Sequence, residues 1–336
     1  MRAASSQEPG SGTPGSLLIT RSRTGIQLAF AVIYLVWGVT YAVNRIMALA
    51  LPPFLAAGAR FLLAGTLLTV IARARRLPMP RHWREWRSVV AAALLGIVLS
   101  NGLAVLALRH VASNQAALIS ASSAFWIAWL GMYGRRATPV SAPAWLGLGL
   151  GFIGVAVLVS AKGFDAHAQV GWQLLVLVGS LCWALATMVI RESHTRCDPF
   201  AFTACYLLVG GTVLASLGLA QGDAARWVWS PAGLGAVVFL AIFSSTFGFV
   251  AYTYLLLHET PSRIGTYAYV NPIVAVFTGW LLLDEHLDRL QFAGSVIVFA
   301  GVVLVRNLRL WPRLRRQLSL PSAEERPPQS ATSDTG

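Results

Sequence analysis

A chain of 336 residues has room for two soluble domains, but 56% hydrophobic and only 12% charged residues leave too little polar surface to face water on all sides. That composition, with a mean hydropathy of +0.63, excludes soluble domains and points to a membrane protein. The net charge of +13 would suit a nucleic-acid binder, yet the basic residues, all arginine except Lys162, fall in short loops and at the C-terminus between apolar runs; they set membrane orientation, and no nucleic-acid partner is expected.

Residues 1–24 are polar and rich in breakers (Ser5, Ser6, Pro9, Gly10, Gly12, Pro14) and read as a disordered cytoplasmic tail. The apolar run behind Arg21 and Arg23 exceeds the roughly 7–15 residues of a signal-peptide core, so it is a first membrane helix. Runs near the roughly 20 residues that cross about 30 Å of hydrocarbon follow at 25–47, 54–72, 89–108, 113–133, 143–160, 170–190, 200–220, 234–257, 264–283 and 290–305. A segment in lipid must satisfy its own backbone groups, and no run shows strand alternation, so all ten are read as helices of an all-α polytopic membrane protein.

The loops assign the topology. Most loop arginines fall on the side shared by both termini, including Arg73 to Arg87, Arg135, Arg136 and Arg191, whereas the other side holds Arg45, Arg109, Lys162, Arg226 and Arg289. Both termini are therefore expected to be cytoplasmic, in the inner or plasma membrane. Arg306, Arg309, Arg313, Arg315 and Arg316 open the 307–336 tail as a basic segment suited to anionic lipid headgroups before a polar, disordered end. Cys182, Cys197 and Cys205 show no metal or disulfide spacing and are expected to pack as small apolar residues.

The second half repeats the first. With an offset of 147, Gly147, Gly154, Tyr133 and Ala128 meet Gly294, Gly301, Trp280 and Ala275. With an offset of 146, Leu35, Trp37, Val43 and Arg45 meet Leu181, Trp183, Val189 and Arg191, and Pro53, Phe54, Leu62, Gly65 and Thr66 meet Pro199, Phe200, Leu208, Gly211 and Thr212. Ten helices thus divide into two five-helix repeats, 25–160 and 170–306. An odd number of crossings makes the second copy enter the membrane from the opposite side, so the repeats are expected to be inverted, as in many secondary transporters.

The pattern Trp37-Gly38, Pro53 through Arg60-Phe61-Leu62-Leu63-Ala64-Gly65, Asn271-Pro272, Gly279-Trp280, Glu285, Gly294 and Gly301 resembles the EamA-type members of the drug/metabolite transporter superfamily, from about Gln27 to Arg306. The resemblance implies ten helices, cytoplasmic termini and export or exchange of small metabolites or drugs. The chain departs from it where the family carries a helix-end Glu in each half: Glu285 is matched by Thr138, and Asn271-Pro272 by Ala124-Phe125.

An ionised side chain at a helix centre costs about 2.5–3.5 kcal/mol on insertion scales, so Arg60, the one basic residue well inside a run, needs a partner or a wet cavity. It is a candidate to attract an anionic substrate group, against pairing with helix-end carbonyls or reaching an interface. Asn44, Asn101 and Asn271 are candidates to hydrogen-bond a polar solute, although amides also join membrane helices to one another. Pro272 removes the bond to the Ala268 carbonyl and would free an acceptor at substrate depth. Trp37, Tyr41, Trp183, Tyr252 and Tyr267 would line a cavity for an aromatic or amphipathic ligand, or simply pack. Asp284, Glu285, His286 and Asp288 sit at a helix end where water would satisfy them; metal binding is not expected, and Glu285 is the candidate for proton coupling. Gly149, Gly151 and Gly154 spell a dinucleotide fingerprint inside an apolar helix with no strand before it, so that reading fails. Gly147 and Gly151 instead allow close helix approach, and glycine-rich faces would allow a homodimer.

These readings combine into a secondary transporter, an exporter of an amino-acid-like metabolite or small drug by alternating access, needing no cofactor and performing no catalysis. The alternatives are an intramembrane enzyme or lipid-handling protein, for which no H-E-x-x-H, G-x-S-x-G or buried acid cluster is found, and a non-transporting membrane subunit.

Overall fold

The computed structural model describes residues 21–133, parts of 145–157, 167–193, 197–259, 264–265, 267–286 and 289–307. The two tails, the segment carrying Arg135, Arg136 and Thr138, Asp288 and half of the fifth run at 143–160 lie outside the described residues. Among the described residues every element is a helix: α1 (Arg23–Ala50), α2 (Pro53–Ala74), α3 (Trp83–Ala107), α4 (Ser113–Ser120), α5 (Ser123–Leu130), α6 (His167–Glu192), α7 (Pro199–Ala220), α8 (Pro231–His258), α9 (Tyr267–Leu283) and α10 (Arg289–Asn307). Six of them, α1, α2, α3, α6, α7 and α8, are long and apolar enough to cross a membrane. The protein is thus an all-helical, multi-pass membrane protein, and large apolar side chains such as Leu28, Leu63, Val70, Phe243, Phe247 and Phe277 are exposed on its outside, where acyl chains would meet them.

Local chemistry sets the helix starts. Proline at the first turn begins α2, α7 and α8, where its missing N–H would have had no helical partner. Asp198 caps α7 by accepting from the Phe200 N–H at 2.8 Å, and Ser22 and Ser230 cap α1 and α8 by accepting from Gly25 and Gly233. Cys182, Cys197 and Cys205 are free and buried.

The centre of the bundle is the α2–α7 contact. A Cβ on Gly65 would lie 2.8 Å from the Leu208 backbone nitrogen, and one on Gly211 would lie 2.8 Å from the Leu62 nitrogen. Since Leu62 and Gly65 match Leu208 and Gly211 in the repeat, this is one contact made twice about a pseudo-two-fold axis. Farther out, Gly58 faces Ala215 and Gly218 faces Leu55, so the helices run antiparallel with backbone against backbone. The Gly147–Gly151 stripe is occupied within the chain: a Cβ on Gly301 of α10 would lie 2.6 Å from the Gly147 carbonyl oxygen.

Two departures from regular α-helix were not expected. In α3 the segment Ala93–Asn101, and in α8 the segment Leu240–Gly248, are π-helical. They occupy matching places in the two repeats, and side chains staple both five residues back: the Asn101 amide donates to the Gly96 carbonyl (2.7 Å) and Thr246 Oγ1 to the Ala241 carbonyl (2.9 Å). Such widened turns often mark functional sites. The single helix expected at 113–133 tightens at Ala121 and Ser122, where the Ser122 N–H donates to the Ile119 carbonyl three residues back and the Ala124 N–H to the Ala121 carbonyl; α4 and α5 are its parts before and after this break in the regular pattern. Beside it, Ser180 Oγ of α6 lies 2.7 Å from Ser122 Oγ and accepts from the Trp126 indole (3.2 Å), so the polar groups at this point are satisfied across helices.

Because Gly211 leaves no room for a side chain, Gly211→Ala should force α2 and α7 apart and destabilise the purified protein by about 1–3 kcal/mol. Gly235→Ala, at a position with nothing within 4 Å, should leave stability equal or slightly raised; intrinsic-fluorescence melting of both variants in detergent is the check.

Candidate functional site

Arg60 is 1% exposed and lies near the middle of α2. It neither reaches an interface nor pairs with helix-end carbonyls. Its Nε donates to Ser245 Oγ (2.8 Å), Nη1 to Asn44 Oδ1 (2.8 Å) and Nη2 to Ser244 Oγ (3.0 Å), and its guanidinium carbon stands 4.5 Å from the Phe61 ring centroid. Asn44 belongs to α1 and the serines to the π segment of α8, so the charge ties the two repeats together. The repeat offset pairs Arg60 with Tyr206 of α7, whose hydroxyl lies against the α3 π segment at Gly96 and has no hydrogen-bond partner among the described residues.

Arg60 opens onto a cavity of about 120 Å³. Of the residues expected to contact substrate, Trp37, Tyr41, Asn44, Arg60, Asn101, Trp183, Tyr267 and Asn271 all line it, and Tyr252 does not. Tyr252 stands behind the wall, 2% exposed, with its hydroxyl 2.9 Å from Thr187 Oγ1 and its ring packed on Trp37 and Trp183. The hydroxyl residues Thr40, Ser100, Ser120, Ser123, Ser180 and Ser244 also line it. Sequence reasoning passed over these, since serine and threonine are common in membrane helices and nothing in the local sequence sets these six apart. The lining contains no aspartate, glutamate, histidine or cysteine, and among the described residues no group of three or more such side chains could hold a metal ion.

Aromatic rings close the cavity toward the end of the bundle where α1 begins. Trp37 meets Trp183 and Tyr267 edge to face, at centroid distances of 5.6 Å each, and the Trp183 indole donates to the Tyr267 hydroxyl (3.0 Å). The Trp37 indole donates to the Ser244 carbonyl in the α8 π segment (3.2 Å). Asn271, with its amide nitrogen turned toward α1, donates to the Ile33 and Tyr34 carbonyls, both at 3.1 Å, so it joins α9 to α1 while lining the cavity. Asn101 likewise spends its N–H on the α3 π segment.

Glu285 departs from the expectation that water satisfies it. Its side chain is 6% exposed, whereas Asp284 and His286 beside it are exposed. The chain leaves α9 through Asp284 in the left-handed region (φ 52°), and the Glu285 N–H turns back to the Gly279 carbonyl at 3.2 Å, a Schellman-type ending. Gly279 makes room for the returning side chain, since a Cβ there would lie 2.6 Å from Glu285 Oε2. The carboxylate then accepts from Arg45 Nη1 (2.6 Å) and the Ser113 N–H (2.8 Å) at Oε1, and from Ser113 Oγ (2.7 Å) and the Asn114 N–H (3.0 Å) at Oε2. It therefore caps α4 and latches α9 to α1 and α4.

This arrangement, a repeated helical bundle around a polar cavity, has relatives. The sequence profile of the EamA-like transporter family matches residues 23–160 and again residues 170–307. The chain belongs to that family. It is 32% identical over 293 residues to the uncharacterized inner membrane transporter YedA of Escherichia coli K12, covering 84% of this chain and 92% of that one. It is 29% identical over 300 residues to the uncharacterized transporter YvbV of Bacillus subtilis 168, covering 86% and 93%. A crystal structure at 19% identity superposes with a TM-score of 0.63 over 89% of this chain and 100% of that one, which shows the fold. Membership of the EamA-like family makes this a membrane transporter by descent, with the cavity at the junction of its two repeats.

The latch can be tested as a pair. Arg45→Gln and Glu285→Gln should each lower stability by about 1–3 kcal/mol, and the double variant should lose less than the two single losses together; a double-mutant cycle by thermal melting gives the coupling.

Proposed function

We propose that the protein is a secondary transporter of the inner or plasma membrane, with both termini cytoplasmic, that exports a small metabolite or drug by alternating access of the cavity between its two repeats. The observation that carries this reading is the cavity itself: helices of both repeats supply its wall, and matched π segments in α3 and α8 adjoin it. Its mix of one cation, hydroxyls, amides and aromatic rings suits a small solute with a polar head and an apolar body, the amino-acid-like size class. A lining without histidine, cysteine or carboxylate supports passage over catalysis. Arg60, Asn44, Asn101 and Asn271 are assigned to the head of the solute, and Trp37, Tyr41, Trp183 and Tyr267 to its body, with Tyr252 supporting them from behind. For Glu285, coupling to protons would require the Arg45 pair to open, so we assign it first to holding the α4 end of the bundle shut.

Counterflow into liposomes, against a panel of small organic acids, amino acids, nucleosides and cationic drugs, tests the reading. At least one class should exchange. Ala104→Trp, which adds bulk to the cavity wall, should cut that exchange about tenfold or more with little change in melting temperature. Unchanged exchange in that variant would place the path elsewhere.

A further inference from the structure

We propose that the cavity selects a small organic anion, a carboxylate on a compact apolar or aromatic body, over the zwitterion or cation of the same skeleton. The inference rests on the transport reading above and names its substrate class.

It starts from the hydrogen-bond capacity of Arg60. A guanidinium carries five N–H donors, and the three bonds to Ser245, Asn44 and Ser244 use one at each nitrogen. One N–H on Nη1 and one on Nη2 are left, on a side chain that lines the cavity. Two neighbouring guanidinium donors form the fork that a carboxylate accepts in bidentate fashion.

Charge points the same way. All three acceptors on Arg60 are neutral, and the cavity wall carries no carboxylate. Glu285, the carboxylate brought to the α4 end, is already taken by Arg45 and the start of α4. Among the described residues, the cavity lining therefore holds one positive charge and no negative charge to balance it, which a bound monoanion would neutralise. A zwitterion would bring its ammonium into the same cavity, beside the guanidinium and, among the described residues, with no anion in the lining to receive it. The Asn44 oxygen already accepts from Arg60, and Trp37 packs edge to face on Trp183 and on Tyr267. The ring faces can attract an ammonium through their quadrupole, but they carry no full negative charge to set against the guanidinium.

The test uses matched sets of ligands on the full-length protein: 3-phenylpropionate, its neutral amide, phenylalanine and phenethylamine, with the corresponding indolyl and branched aliphatic sets. Binding is read from ligand-dependent melting in detergent and transport from counterflow in liposomes. In at least one set the acid should bind about tenfold or more tightly than its amide, zwitterion and amine, a preference of about 1.4 kcal/mol. Arg60→Met should remove that preference. Because this variant could fail to fold, the comparison of acid with amide on the unaltered protein decides by itself. Equal binding of acid and amide, tighter binding of the zwitterion or amine, or no binding of any acid would overturn the anion inference. Counterflow of zwitterions or amines without acids would do so while leaving the transport reading intact. Acids that bind tightly without counterflow would have the reverse meaning.

Discussion

A full positive charge in the middle of an apolar helix constrains everything around it. Arg60 cannot be left bare in a medium where burying an unpaired ion is so unfavourable, and the chain meets that demand with oxygens from two other helices, α1 through Asn44 and α8 through Ser244 and Ser245. The α8 oxygens lie in a π segment. Since one repeat supplies the charge and the other supplies two of its three acceptors, the polar centre exists only when the halves are assembled.

The scaffold around that centre is more symmetric than the centre itself. Gly65 on Leu208 and Gly211 on Leu62 are the same packing solution used twice, and the π segments of α3 and α8 fall at matched places. The chemistry is not duplicated. Arg60 is matched by Tyr206, and Glu285 by Thr138. A duplicated fold needs its close helix approaches in both copies, because each holds the backbone of the other. A single small solute needs only one charged anchor, and a second buried guanidinium opposite the first would repel it.

Much of the helical plan was legible because lipid imposes a simple rule: apolar runs of sufficient length, with breakers between, become helices. Arg60 was legible for the same reason, as a violation of that rule. The break at Ala121 and Ser122 was not, since neither residue is a strong helix breaker and the contact beside it, from Ser122 to Ser180, is distant in sequence. The π segments were equally hidden; Ala93–Asn101 contains no proline, and a bond shifted by one residue leaves no mark on apolar periodicity. Glu285 misled because a charged residue after a membrane helix usually meets water. The local signal to the contrary was Gly279 six residues earlier, the space into which a reversing chain could fold its carboxylate. Tyr252 shares the aromatic cluster with Trp37 and Trp183 but not the cavity surface, a distinction of one side-chain layer that composition cannot make.

In the alternating-access reading, the contacts divide by how they can change. The α2–α7 contact joins backbone to backbone around the pseudo-two-fold axis, and interiors packed this closely do not deform gradually. It is also self-complementary, so exchanging the roles of the two repeats leaves it unaltered, as a pivot requires. The ends are different. At one end Glu285 joins α9 to α1 and α4 through hydrogen bonds and an ion pair; at the other the Tyr254 hydroxyl of α8 accepts from the Ser22 N–H at the start of α1 (3.0 Å). Polar contacts of this kind can be traded for water at the membrane surface with modest net loss. The bonds of Arg60, a side chain 1% exposed, cannot be traded so cheaply, because a buried guanidinium that loses its acceptors is left uncompensated. A ligand that supplies acceptors to Arg60 would offset that loss while α1 and α8 move, which makes occupancy of the cavity and reorientation of the repeats parts of one equilibrium.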